Sequence, residues 1–135
     1  MNSLPAKRLL AFFLVLFVFL AAIPHTALAQ TKVYIWERFD VDVTVLENGD
    51  LQVVEQQQLN FSGAPFTFGF RNIPVNAAGR NDGITNIAVR QGNQEFTQSG
   101  SGQPFTFTVD ESNDEVTITW YFPEALGTQV YEISY

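Results

Sequence analysis

Phe39-Asp40-Val41-Asp42-Val43-Thr44-Val45-Leu46-Glu47-Asn48-Gly49-Asp50-Leu51-Gln52-Val53 decides the fold class of this chain. Phe39, Val41, Val43 and Val45 alternate with Asp40, Asp42 and Thr44, the period-two pattern of a half-buried strand. Glu47 to Asp50 then reads as a hairpin turn, because Asn-Gly readily supplies the positive φ that tight hairpins need. Leu51, Val53, Leu59 and Phe61 line one face of the returning strand. Two strands joined so tightly must be antiparallel.

The same grammar repeats downstream. Ser62 to Pro65 reads as a break. Phe66, Phe68 and Phe70 alternate with Thr67, Gly69 and Arg71, and Ile73-Pro74 closes that segment, since proline cannot donate to a central ladder. Val75 to Gly83 reads as a polar loop. Ile84, Ile87 and Val89 suggest a further strand, and Gln91-Gly92-Asn93 turns the chain towards Phe96. Ser99 to Pro104 is a Gly/Ser loop. Phe105, Phe107 and Val109 alternate, as do Val116, Ile118 and Trp120 after the polar turn Asp110–Glu115. Pro123 to Gly127 reads as a loop before a last alternating segment, Val130 to Tyr135. About eight short strands result, with no helical periodicity beyond the N-terminus. The pattern predicts an all-β fold, an antiparallel β-sandwich, immunoglobulin-like or related, with an open barrel as the alternative.

The N-terminus is of another kind. Lys7 and Arg8 precede an unbroken apolar run, Leu9 to Ile23, and Ala27 and Ala29 stand at the small-residue positions of a cleavage site. That order is a secretory leader, with cleavage expected after Ala29. The run of about 15 residues is short for a membrane span of roughly 20. An uncleaved N-terminal anchor is the alternative. Residues 1–29 are therefore read as a signal peptide, and residues 30–135 as one β domain on the far side of the membrane.

Composition narrows what that domain does. Beyond residue 29 there are 5 basic and 14 acidic residues, a net charge of −9. Such a surface repels phosphate backbones, so nucleic acid is not an expected partner. The chain has no cysteine, and its single histidine, His25, lies in the leader. Residues 30–135 thus lack the side chains for Ser-His or Cys-His catalysis and for ordinary zinc or copper sites. No enzyme chemistry and no cofactor are expected.

Three local features are candidate sites. In the register Leu51, Val53, Glu55, Gln57, Leu59, Phe61, the carboxylate of Glu55 falls on the apolar side. It needs a cation or hydrogen-bond donors there, because an unpaired buried charge costs several kcal/mol. Arg71 is the nearest cationic candidate, expected to form a structural pair with Glu55 through its bidentate fork. Strict alternation sets Arg71 opposite Phe66, Phe68 and Phe70. If those rings form the core, Arg71 reaches Glu55 only through a bulge or an edge. The turn holding Asp110, Ser112 and Asp114 offers closely spaced oxygens, a weak calcium pattern lacking the EF-hand glycine and distal Glu. A solvated hairpin loop is its plainer reading. Trp36 precedes the clean alternation and is a candidate exposed aromatic for binding a glycan or peptide.

The stretches NGDLQVVEQQQLNFSG, FRNIP, ITWYF and VYEISY resemble the N-terminal domain of a bacterial predicted membrane protein family, domain of unknown function 2207, also called YciQ-like. The resemblance spans roughly Val33 to Tyr135. It rests on Gly49, Asp50, Leu51, Val53, Glu55, Phe61, Arg71, Ile73, Pro74, Trp120 and Tyr135. It implies a leader, an extracytoplasmic β domain and then transmembrane helices, with no established activity, substrate or cofactor. On that resemblance the chain is expected to be truncated at Tyr135 and tethered to the membrane by helices beyond it. The expected function is a binding, sensory or structural role outside the cytoplasm. A secreted carbohydrate- or peptide-binding module and a small carboxylate-dependent hydrolase are the alternatives.

Overall fold

Two of the strands, Leu51–Pro74 with 24 residues and Glu115–Ser134 with 20, are far longer than the alternation suggests. The computed structural model describes residues 30–77, 80, 81 and 83–135, so the proposed leader lies outside the described residues. In chain order the strands are β1 (Lys32–Val45), β2 (Leu51–Pro74), β3 (Asn76–Ala77), β4 (Arg80–Asn81), β5 (Ala88–Gln91), β6 (Gln94–Glu95), β7 (Thr97–Gln98), β8 (Thr106–Glu111) and β9 (Glu115–Ser134). The main sheet has seven strands, ordered β1-β2-β9-β5-β6 with β8 also on β9 and β7 on β8, while β3 and β4 form a separate pair. All pairings are antiparallel except β7 with β8, which is parallel.

The β1–β2 hairpin turns where Asn48-Gly49 predicts. Gly49 has φ 91°, and the Leu46 amide donates to the Asp50 carbonyl at 2.8 Å. The two expected breaks, Ser62–Pro65 and Pro123–Gly127, are corrected by the structure. Both segments stay within strands, β2 and β9. The β2–β9 register shifts between Phe61 and Phe66 and again before Phe68, so both strands bend there without leaving the sheet. Gly63 (φ 79°) and Gly127 (φ 70°) take conformations at the bend that β-carbons disfavour. A β-carbon on Gly63 would also lie 1.8 Å from the Thr31 carbonyl oxygen, so the start of β1 fits against it only as glycine.

The bend doubles the ribbon over. Trp120 and Tyr131 are eleven residues apart on β9 and would stand roughly 35 Å apart on a straight strand. Their ring centroids are 5.6 Å apart, and those of Phe122 and Tyr131 are 4.9 Å apart. One half of the ribbon supplies Leu59, Phe61, Tyr131 and Ile133 to the interior. The other half supplies Ile73, Val116, Ile118, Trp120 and Phe122. Val89 on β5, Phe107 on β8 and Phe96, between β6 and β7, complete this buried cluster.

Phe68 and Phe70 lie outside it, at 50% and 62% exposure. The inward face of that half is Gly69, Arg71 and Ile73, set opposite Trp120, Ile118 and Val116. Gly69 is there because the Trp120 indole lies over it: a β-carbon would meet the ring at 2.6 Å.

Candidate functional site

Doubling the ribbon brings together two residues of one strand. Glu55 and Arg71 are sixteen positions apart on β2, roughly 50 Å if the strand were straight. Instead, Arg71 donates from Nε to Glu55 Oε2 at 2.8 Å and from Nη2 to Oε1 at 2.9 Å, a bidentate fork. The pairing needs neither an edge nor a bulge at Arg71, because its neighbours Phe68 and Phe70 face away from the core, while Phe66, beyond a register shift, packs against it.

The rest of the cluster fills the remaining acceptor positions of the carboxylate. The Gln57 amide donates to Oε2 at 3.2 Å, and the Tyr135 hydroxyl donates to Oε1 at 3.1 Å. A carboxylate has about four lone-pair sites, and four protein donors occupy them here. Glu55 and Gln57 are each only 1% exposed, whereas the Arg71 side chain is 31% exposed. The guanidinium also donates to the Asn72 carbonyl at 2.5 Å and sits 5.7 Å from the Phe39 ring centroid, a cation–π distance.

Electrostatics follow the geometry. The Glu55 hydrogen bonds and charge raise the Arg71 pKa, against a smaller opposing effect of burial. Burial, then the neighbouring Glu55 charge, pushes the Tyr135 hydroxyl up to about 12. Tyr135 therefore remains a neutral donor through physiological pH. The lone-pair sites of the Glu55 carboxylate are all taken by protein donors. Its chemistry is that of a clamp between the two halves of β2.

The residues of the calcium pattern lie at the end of β8 and in the turn before β9. Asp110 lies on β8 opposite Thr117. The Ser112 hydroxyl closes the turn by donating to the Glu115 carbonyl at 2.9 Å and accepting from the Glu115 amide at 3.0 Å. The Asp114 carboxylate accepts from the Asn76 amide at 2.8 Å. Among the described residues no group of three His, Cys, Asp or Glu side chains gathers where it could hold a metal ion. Trp36 is 47% exposed on β1, with its ring edge-on to Phe39 at 5.5 Å.

Sequence reasoning missed two features. Glu37 is the extra residue of a bulge between Trp36 and Arg38. Its carboxylate accepts from Asn60 and Gln58 at 2.8 Å each and from Thr128 at 3.1 Å, reaching across β2 to β9. These bonds, Asn60 first, lower its pKa. The only sequence signal is the three-residue step from Trp36 to Phe39, which breaks the alternation where a bulge belongs. The second feature is a cavity of about 480 Å³ lined by Val89, Phe96 and Phe107 beneath Arg90, Glu95 and Glu132. There Arg90 bonds Glu132 at 2.7 Å and faces Glu95 across the β5–β6 hairpin.

These features belong to an all-β protein with a buried ionic clamp and, among its described residues, no helix long and apolar enough to cross a membrane. Residues 36–135 match the family model described as "Predicted membrane protein (DUF2207) N-terminal domain", and the chain belongs to that family. No curated protein and no solved structure matches it.

Proposed function

We propose that residues 30–135 form an extracytoplasmic, non-enzymatic β domain of a membrane-anchored protein, with a binding, sensory or structural role. The observation that carries this reading is the family match over residues 36–135, to the N-terminal domain of a predicted membrane protein. Directly before it stands the apolar, leader-like segment of residues 1–29. A leader followed by a β domain exports that domain, and a family of membrane proteins keeps it tethered, either by helices elsewhere in the protein or by an uncleaved Leu9–Ile23 segment. The doubling of the ribbon supports reading the fold as a β-sandwich, immunoglobulin-like or related. The non-enzymatic reading rests on residues 30–135 having neither His nor Cys and on a Glu55 carboxylate already filled by four protein donors.

Expression of the full reading frame followed by cell fractionation tests the tether. The β domain is expected in the membrane fraction, extractable by detergent and not by high salt. Protein released as a soluble species beginning at Gln30, with no membrane-bound form, contradicts the proposal.

A further inference from the structure

Strand β1 ends the main sheet. Among the described residues it pairs with β2 alone, so its outer edge runs unpaired from Lys32 to Val45. An edge of that length is a template for another strand. Its inward face is uncovered too. Tyr34, Trp36, Phe39, Val41, Val43 and Val45 share a sheet face with the buried Phe61, Leu59, Gln57 and Glu55, yet they are 43–70% exposed. A contiguous apolar row beside an open edge marks an interaction surface rather than scattered surface hydrophobics.

We propose that the occupant of this edge is a second copy of the chain, paired β1 to β1 in antiparallel fashion about a two-fold axis at Phe39. The arrangement of β1 carries the argument. With the bulged Glu37 set aside, β1 has 13 ladder positions, and the seventh, its midpoint, is Phe39. Pairing about that midpoint uses the whole strand. On the inward face Phe39 meets its mate, Trp36 meets Val41 and Tyr34 meets Val43, all apolar. On the other face Arg38 meets Asp40 twice, once on each side of the axis, Ile35 meets Asp42 and Val33 meets Thr44. Within one copy Arg38 and Asp40 already bridge at 2.5 Å, and their side chains are 65% and 39% exposed, free to exchange partners. The Glu37 carboxylate brings no charge into the new ladder, being held across β2 by Asn60, Gln58 and Thr128.

Other registers lose this complementarity. Moving the axis to Val41 sets Asp40 against Asp42 twice. Moving it to Trp36 sets both Arg38 and Asp40 against apolar residues, Ile35 and Val33, and shortens the overlap. A two-fold pairing is self-complementary and closes on itself, which consumes both open edges and stops at a dimer.

Residues 1–135 hold no cysteine, so with any cysteine elsewhere in the protein replaced by serine one introduced thiol reports cleanly. Residues facing their own mates in an antiparallel pair have Cα atoms roughly 4.5–5.5 Å apart, within the approximate 4.4–6.8 Å that a disulfide spans. In the full protein, Phe39→Cys is expected to give a covalent dimer on mild oxidation. Thr44→Cys, about 33 Å from its mate in this register, is expected to stay monomeric. Adding Arg38→Asp to Phe39→Cys should cut the cross-linked fraction several-fold, and adding Asp40→Arg as well should restore it. Sedimentation of the otherwise unmodified charge variants reads the same association without a thiol. A thiol at position 39 that reacts with maleimide but does not cross-link overturns the proposal by leaving the face open. One that neither reacts nor cross-links overturns it by giving the face to another segment or partner. Cross-linking of Thr44→Cys as readily as Phe39→Cys overturns the register.

Discussion

Arg71→Ala and Glu55→Ala should not cost the same, and together they should cost less than their sum. Arg71→Ala strands a carboxylate that is 1% exposed with only the neutral donors Gln57 and Tyr135. Breaking a fully buried pair costs about 3–5 kcal/mol. Arg71 is about one-third exposed, so water reaches its place and the expected loss falls to about 2–3 kcal/mol. Glu55→Ala lets Arg71 turn outward, but the buried Gln57 amide loses its acceptor, for about 2 kcal/mol. The double variant removes both charges and retains only the Gln57 penalty and the lost packing over Phe39, about 3 kcal/mol. Urea melts of the four proteins at pH 7 should therefore give a coupling of about 1–2 kcal/mol. Additivity within about 0.5 kcal/mol would refute the clamp between the two halves of β2.

Gly69→Ala places a β-carbon 2.6 Å from the Trp120 ring and should destabilise by about 1–3 kcal/mol, read by a denaturant melt followed through tryptophan fluorescence; an unchanged midpoint would mean that the indole is not seated on Gly69. The Tyr131 hydroxyl is buried, with no hydrogen-bond partner among the described residues, and burial raises its pKa. Tyr131→Phe is therefore expected to be neutral or to stabilise by about 1 kcal/mol in thermal melts, and a loss above about 1 kcal/mol would show that the hydroxyl is satisfied. The raised Tyr135 pKa means that the folded state holds this proton more tightly than the unfolded state, whose value is near 10. Its contribution is complete below about pH 10 and is lost as pH rises towards about 12, so Tyr135→Phe should flatten the stability–pH profile in that window.

The local pattern was legible where burial alternates. Val116, Ile118 and Trp120 read as one inward face and are buried as one, and Asn48-Gly49 placed the hairpin. Glu55 stood out because its parity is apolar while its chemistry is not. The bends were not legible. Ser62–Pro65 and Pro123–Gly127 carry the residues of loops, yet the strands run on through both segments and pair again beyond a register shift, and turn composition alone does not distinguish a bend from an end. Phe66, Phe68 and Phe70 misled for a related reason. Alternation says that two faces differ without saying which faces the core, and here Gly69 admits Trp120 on the other side. Gln57 stands two positions from Glu55 on the same strand face, whereas Tyr135 reaches it through the β2–β9 register, which sets Tyr135 opposite Val53, and Arg71 through the doubling of the ribbon; no local window of sequence contains either of the last two.

The proposal that this domain lies outside the cytoplasm has a direct test in a single introduced thiol. Residues 1–135 hold no cysteine and Glu47 is exposed in the β1–β2 turn, so Glu47→Cys in the full protein, with any cysteine elsewhere replaced by serine, offers one accessible reporter. Intact cells treated with a membrane-impermeant maleimide should label it as fully as lysed cells do. Labelling that appears only after lysis would place the domain in the cytoplasm and contradict the account.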